Sequence, residues 1–346
     1  MNAGHSSPTG TSPSRANHAA LRYWQLTGYS DQDVDAICES LNSTEMIARL
    51  RFDGEGSVEM AISTRTWERQ EGHFPAIMKF FNEVAQQPSL RDLRGSMVVW
   101  LEDGVWAWNQ QHPKKAPILS FGRQITDFHT FLIPDPAFLD TRGYQTDIAE
   151  IRQWEQEIHP QHKKRTAFWR GAATGLGIET ENWRMSARGR LALLARDLND
   201  PSVLDAKISK VNHLSESQQR IFISENIVGE SCPFREFLDY LYLIDADGHC
   251  CAWRSLFLKL ATSSVVLKIT SDYEQWYFHE LVPWRHYVPL KSDLSDFMDA
   301  YRWLEENREK AREITAGAHE LLRTITYYRA LEETGALCAA ILKCKR

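Results

Sequence analysis

YLYLIDADGHCCAWRSLFLKLATSSVVL, residues 240–267, changes character from one short segment to the next. An apolar run, Tyr240–Ile244, stops at an acidic, glycine-containing turn, Asp245 to Gly248. A short helical segment follows, with Arg254 near its start and Leu256, Phe257 and Leu260 at helical spacing. A second apolar run, Val265–Leu267, closes the unit. Strand, loop, helix, strand is the repeat of an open parallel sheet, and in such sheets ligands bind at the carboxyl ends of the strands. The loop has what an anionic ligand needs: a glycine for close backbone approach, N–H groups at a helix start, and an arginine able to fork onto phosphate oxygens. An ordinary turn followed by a surface arginine uses the same residues, so the segment alone leaves both readings open.

The alternation continues on both sides. Upstream, Thr166–Trp169 reads as a strand ending in the glycine-rich Arg170–Gly177, which matches neither GxGxxG nor GxxxxGK[ST]. A helix over Ser186–Leu198, a strand over Leu204–Ile208 and a short helix over Phe234–Leu238 come next. Downstream, Ser271–Phe278 reads as a loop and a short aromatic helix, and His286–Leu290 as a strand. Asp293 can cap a helix from Leu294, and helices over Glu305–Leu322 and Tyr327–Leu342 end the chain.

In the first half, Leu21–Leu50 carries Val34, Ile37, Cys38 and Leu41 at helical spacing, with Ser30 and Asp31 as cap candidates. Ser57–Ile62 alternates as a strand does, and His73–Val84 places Phe74, Ile77, Phe80, Phe81 and Val84 on one helix face. Met97–Leu101 is a continuous apolar run of the kind a buried parallel strand shows, and it stops at Glu102, Asp103 and Gly104. Carboxylates at the end of a buried strand are well placed for chemistry, yet two exposed loop acids cost as little. Ile118–Phe121 reads as a further strand, Phe131–Pro136 as a proline-stiffened loop and Ile148–Ile158 as a helix.

The expected class is α/β with parallel sheets, and 346 residues exceed what one core usually serves. The expected division is a disordered polar tail, 1–17, a first domain, 18–165, a second, 166–317, and a C-terminal helical segment, 318–346, packing back on the first. Hydrophobic content of 43% and charged content of 25% are those of an ordinary globular chain. A net charge of −6, with no basic stripe interleaved with aromatics, argues against nucleic acid as a partner. Six cysteines without CxxC or framework spacing suit free thiols in a reducing compartment, and the first twenty residues are not a secretory signal. With no apolar stretch long enough to span a bilayer, the expected location is cytoplasmic, with room for peripheral contact at the inner membrane face. Twelve histidines show no HExxH or other ligand spacing, so a zinc site is not expected.

Taken in order, these segments resemble glycosyltransferase family 90, which includes protein O-glucosyltransferases and capsule-associated and lipopolysaccharide-modifying enzymes. Tyr240–Gly248 followed by Trp253 and Arg254 is similar to the family's strand and donor loop, and Ser264–Val266 to its next strand. Pro283–Leu294, PWRHYVPLKSDL, is similar to its Pro-Trp-x-His-Tyr-x-Pro run. Phe168–Gly171 resembles a Phe-Arg-Gly motif with Trp169 interposed, with Arg188–Leu191 and Asp205-Ala206 in the expected places beyond. Val98–Asp103 resembles the strand that ends in the catalytic aspartate, although the Tyr-Pro of animal members is Gly104-Val105 here.

The resemblance implies a GT-B-like fold, two Rossmann-like domains facing a cleft, and inverting transfer from a nucleotide-sugar donor, typically a UDP-sugar. It implies Asp103 as general base, with Glu102 its rival by one residue. The donor-binding candidates are Arg170, Gly171, Arg188, Asp247, Gly248, Trp253 and Arg254, the arginines meeting the diphosphate. Asp245 and Asp247 form the Asp-x-Asp pair that holds a divalent cation in the GT-A architecture. Here they are read as shaping the loop or contacting the donor, with no essential metal or other cofactor. The expected acceptor is a cell-surface glycan or glycolipid precursor, such as lipopolysaccharide core or capsule. A protein O-glycosyltransferase and a catalytically silent nucleotide-sugar-binding protein are the alternatives.

Overall fold

The computed structural model describes residues 14–69, 74–104, 116–158, 162–175 and 177–346. The tail before Ser14, His73, Val105 and Leu176, all named above, lie outside them. Packing divides the chain into two units: residues up to Asp140 together with Tyr327–Arg346, and Thr141–Thr326.

The first unit contains strands β1 (Ile47–Phe52), β2 (Val58–Ile62), β3 (Gly95–Trp100), β4 (Ile118–Ser120), β5 (Gly122–Gln124) and β6 (Phe131–Leu132). Its helices are α1 (His18–Thr27), α2 (Asp31–Leu41), α3 (Thr64–Arg69), α4 (Phe74–Ala85) and α5 (Pro136–Asp140). Its five-stranded sheet runs β2-β1-β3-β4-β6. The sheet is mixed, not parallel throughout as expected: β1 is antiparallel to both neighbours, while β3, β4 and β6 are parallel.

The helical reading of Leu21–Leu50 ends at Leu41, and β1 follows. Ser30 starts α2 with a capping box, its Oγ accepting from Asp33 N–H at 3.2 Å while Asp33 accepts from Ser30 N–H at 2.8 Å. From Ala48 to Phe52, buried Ala48, Leu50 and Phe52 alternate with Arg49 and Arg51, a period of two that a strand satisfies and a helix does not. β3 is buried along its whole length, as its apolar run required.

The second unit contains strands β7 (Lys164–Ala172), β8 (Leu204–Lys210), β9 (Tyr240–Asp245), β10 (Val265–Ile269), β11 (Tyr273–Gln275) and β12 (Val288–Leu290). Its helices are α6 (Gln145–Gln156), α7 (Ala187–Leu198), α8 (Glu216–Ser224), α9 (Phe234–Phe237), α10 (Arg254–Leu260), α11 (Phe297–Glu306) and α12 (Arg308–Thr324). A five-stranded sheet, β12-β10-β9-β7-β8, is parallel at every pairing. Leu267, Ile244, Tyr242, Ala167 and Trp169 form its core with Leu191 and Ala192 of α7. The aromatic helix expected before Phe278 is instead β11 and a short 3-10 turn at Phe278–Glu280.

Helix α13 (Tyr327–Leu342) belongs to the first unit. Phe80 of α4 meets Tyr327 edge to face at 5.8 Å, and Gln87 Nε2 donates to Leu331 O at 2.7 Å. No helix among the described residues is long and apolar enough to cross a membrane.

Candidate functional site

A parallel sheet puts all its carboxyl ends on one edge, so the loops after β7 and β9 leave the second unit's sheet side by side. Ser186 begins α7 there, its Oγ accepting from Gly189 N–H at 3.1 Å, and Arg188 follows in the first turn. Arg188 Nε donates to Asp247 O at 3.1 Å and Ala246 O at 3.3 Å, and Nη1 donates to Ala172 O at 2.9 Å and to the Thr174 hydroxyl. One guanidinium therefore ties the ends of β7 and β9 together. Gly248 makes room for it: a Cβ there would lie 3.1 Å from both Arg188 Nη2 and Thr174 Oγ1.

Beneath this clamp lie four charges that the sequence reading did not assemble. Asp245, Asp247, Lys259 and Lys268 are all buried. Lys259 Nζ is 3.1 Å from Asp245 Oδ1, and Lys268 Nζ is 3.5 Å from Asp245 Oδ2 and 3.8 Å from Asp247 Oδ1. Burial pushes the Asp245 carboxyl up, but Lys259 and Lys268 outweigh it and hold the group below its ordinary value. Burial, joined by the nearby Asp245 charge, holds the Asp247 carboxyl above its ordinary value despite Lys268, a Ser271 hydrogen bond and the Arg188 charge. The available signal was a lysine inside each of two otherwise apolar runs, Leu256–Leu260 and Val265–Ile269, because a buried ammonium demands a carboxylate.

The other candidates have different surroundings. Arg170 lies on β7 with its Nη2 2.8 Å from the Asp205 carboxylate of β8 and its guanidinium 4.6 Å over the Phe168 ring. Gly171 is shaped by packing, since a Cβ there would come within 2.5 Å of the Trp169 ring. Arg254 forks onto Asp147 of α6, with Nε 3.0 Å from Oδ2. Trp253 precedes α10 at φ 48°, a left-handed backbone that residues other than glycine seldom take. The structure thus brings Arg188, Asp247 and Gly248 into one cluster, while Arg170 and Arg254 each hold a carboxylate of their own unit.

Asp103 belongs to the first unit, exposed just beyond the end of β3. Glu45 lies two residues before β1, and Glu102 two residues after β3. Glu45 is buried, and burial together with the Glu102 charge raises its carboxyl to about 7. His286, in the Pro-Trp run, is buried and uses Nδ1 to accept from Val282 N–H at 3.0 Å, a structural bond. Among the described residues no group of three or more His, Cys, Asp or Glu is arranged to hold a metal.

Residues 85–326, more than half of the chain, match the family model Glycosyl transferase family 90, and the chain belongs to that family. Its class is therefore that of the glycosyltransferases. Among curated proteins, Protein O-glucosyltransferase 3 of Homo sapiens is 25% identical over 317 residues, covering 85% of this chain and 58% of that protein. The Rattus norvegicus protein of the same name is 31% identical over 321 residues, with the same coverage. The chain thus spans little more than half the length of these relatives. A solved glycosyltransferase from Rickettsia africae aligns over 66% of this chain and 64% of its own with a TM-score of 0.40 and 8% identity, too distant a likeness to define the fold.

Proposed function

We propose that the chain transfers a sugar from a UDP-sugar to an acceptor hydroxyl with inversion at the anomeric carbon. The observation that carries this reading is the Arg188 clamp. It gathers two glycine-bearing loops at the carboxyl edge of a parallel sheet, in a chain whose family is that of the glycosyltransferases. The diphosphate leaves as an anion, and cationic donors at this edge neutralise it. Arg188 donates to both loops, at the Asp247 carbonyl and the Thr174 hydroxyl. Arg170 and Arg254 contribute by exchanging a carboxylate partner for phosphate oxygens, while Gly171, Trp253 and Gly248 shape the backbone around them.

Asp103 takes the acceptor proton as general base. The GT-B arrangement, with base and donor supplied by different units, is part of the same proposal. No metal is required, because Asp245 and Asp247 already have lysine counter-charges. Asp103→Asn should lower turnover by about 10²- to 10⁴-fold while leaving UDP affinity within about twofold. Near-normal turnover would remove Asp103 from the role, and Glu102→Gln, assayed beside it, separates the two acids.

The acceptor read from sequence is a cell-surface glycan precursor. The similarity to relatives named Protein O-glucosyltransferase 3 favours a second reading, a hydroxyl on a protein. Radiolabelled UDP-sugars offered with folded protein domains and with lipid-linked glycans in parallel separate the two.

A further inference from the structure

Two carboxylates spaced Asp-x-Asp at the end of a strand are a natural seat for a hard divalent cation, whose oxygen ligands they supply. In this chain the place between them is occupied. Lys268 lies on β10 directly beside Asp245 of β9 in the parallel register, and its side chain rises between the two acids, 3.5 Å from Asp245 Oδ2 and 3.8 Å from Asp247 Oδ1. Lys259 of α10 takes the remaining Asp245 oxygen at 3.1 Å. The Phe278 ring stands 5.0 Å from Lys268 Nζ. The four side chains are buried and their formal charges cancel, two carboxylates against two ammoniums.

We propose that Lys268 is a built-in substitute for a divalent cation: it neutralises Asp245 and Asp247 from within the sheet and so fixes the backbone of Ala246 and Asp247, whose carbonyls hold Arg188. Asp245 keeps Lys259 whatever happens at residue 268, whereas Lys268 is the one lysine paired with Asp247 among the described residues, helped by a Ser271 hydrogen bond and the Arg188 charge. Without Lys268 two buried carboxylates face each other across an unfilled space, a costly state that either displaces the Asp247 loop or draws in a cation. Lys268 is thus a positioning residue, acting on the donor through Asp247 and the Arg188 clamp, and this part rests on the donor reading above.

The test is Lys268→Ala, titrated with Mn²⁺ and followed by electron paramagnetic resonance, alongside UDP titrations with EDTA or with Mn²⁺. Wild type should take up no Mn²⁺ at this site and bind UDP equally in both buffers. Lys268→Ala should take up about one Mn²⁺ per chain, bind UDP about tenfold more weakly in EDTA, and recover most of that loss in Mn²⁺. Adding Asp247→Asn to Lys268→Ala should abolish the Mn²⁺ uptake. Should Lys268→Ala fail to fold in EDTA, Mn²⁺ should restore its melting transition. Lys268→Met combined with Asp247→Asn, with the unpaired charge removed, should fold with a melting transition that Mn²⁺ does not move. A folded Lys268→Ala that takes up no Mn²⁺ overturns the inference, as does uptake that survives Asp247→Asn. If wild type itself ignores UDP, the donor reading falls, and the Mn²⁺ count still decides whether Lys268 fills a cation's place.

Discussion

Arg170, Arg188 and Arg254 are the same side chain in three different employments. Arg170 and Arg254 each face a carboxylate, whereas Arg188 donates to backbone carbonyls and a hydroxyl. Their partners Asp205 and Asp147 lie 35 and 107 residues away, so no local spacing announces them. The arginines themselves were legible; what each one holds was not. Arg170→Ala leaves the half-buried Asp205 carboxylate without its counter-charge, and should cost about 1–3 kcal/mol in urea unfolding. Glu45 gives a pH signature. In the folded chain it keeps its proton up to about 7, whereas its ordinary carboxyl value is 4.5. Between those values the folded state binds the extra proton, so its contribution to stability falls as pH rises through the window and stays lost above it. Glu45→Gln should therefore stabilise the protein at pH 8 by about 2–3 kcal/mol and have little effect at pH 4, read from denaturant midpoints. An equal effect at both pH values would contradict the shift.

At the scale of elements, β9 and β10 were legible because each is an apolar run bounded by turn residues, the pattern a strand buried on both faces must show. β1 was not. It follows a capped amphipathic helix and carries two arginines, so its period of two is hidden behind the preceding period of 3.6. The mixed character of the first sheet depends on that one strand, because β1 is what turns the β3 edge antiparallel. The glycine after Arg170 is a second case: the sequence suggests ligand approach, and the structure shows an indole ring. Gly171→Ala should overpack the Trp169 site and lower stability by about 1–3 kcal/mol, measured by thermal or urea unfolding. Ser30→Ala, which removes the capping box of α2, should cost about 1 kcal/mol by the same measurement.

At the scale of the molecule, two units each carry one part of the proposed chemistry: Asp103 at a strand end in the first, the Arg188 clamp at strand ends in the second. The motifs that named the family are concentrated where the second unit's loops meet, which is why family and strand edge were both readable there. The return of α13 to the first unit has no such motif; it rests on Tyr327 against Phe80 and on Gln87 reaching Leu331. The central claim is that the carboxyl edge of β7 and β9 receives a nucleotide-sugar diphosphate. Calorimetric titration of the intact chain with UDP and then a panel of UDP-sugars, against Arg188→Ala, tests it most directly. The account predicts about one UDP per chain, weakened about tenfold or more in the variant. A wild-type chain that binds neither UDP nor any UDP-sugar, or an Arg188→Ala variant that binds them unchanged, would contradict it.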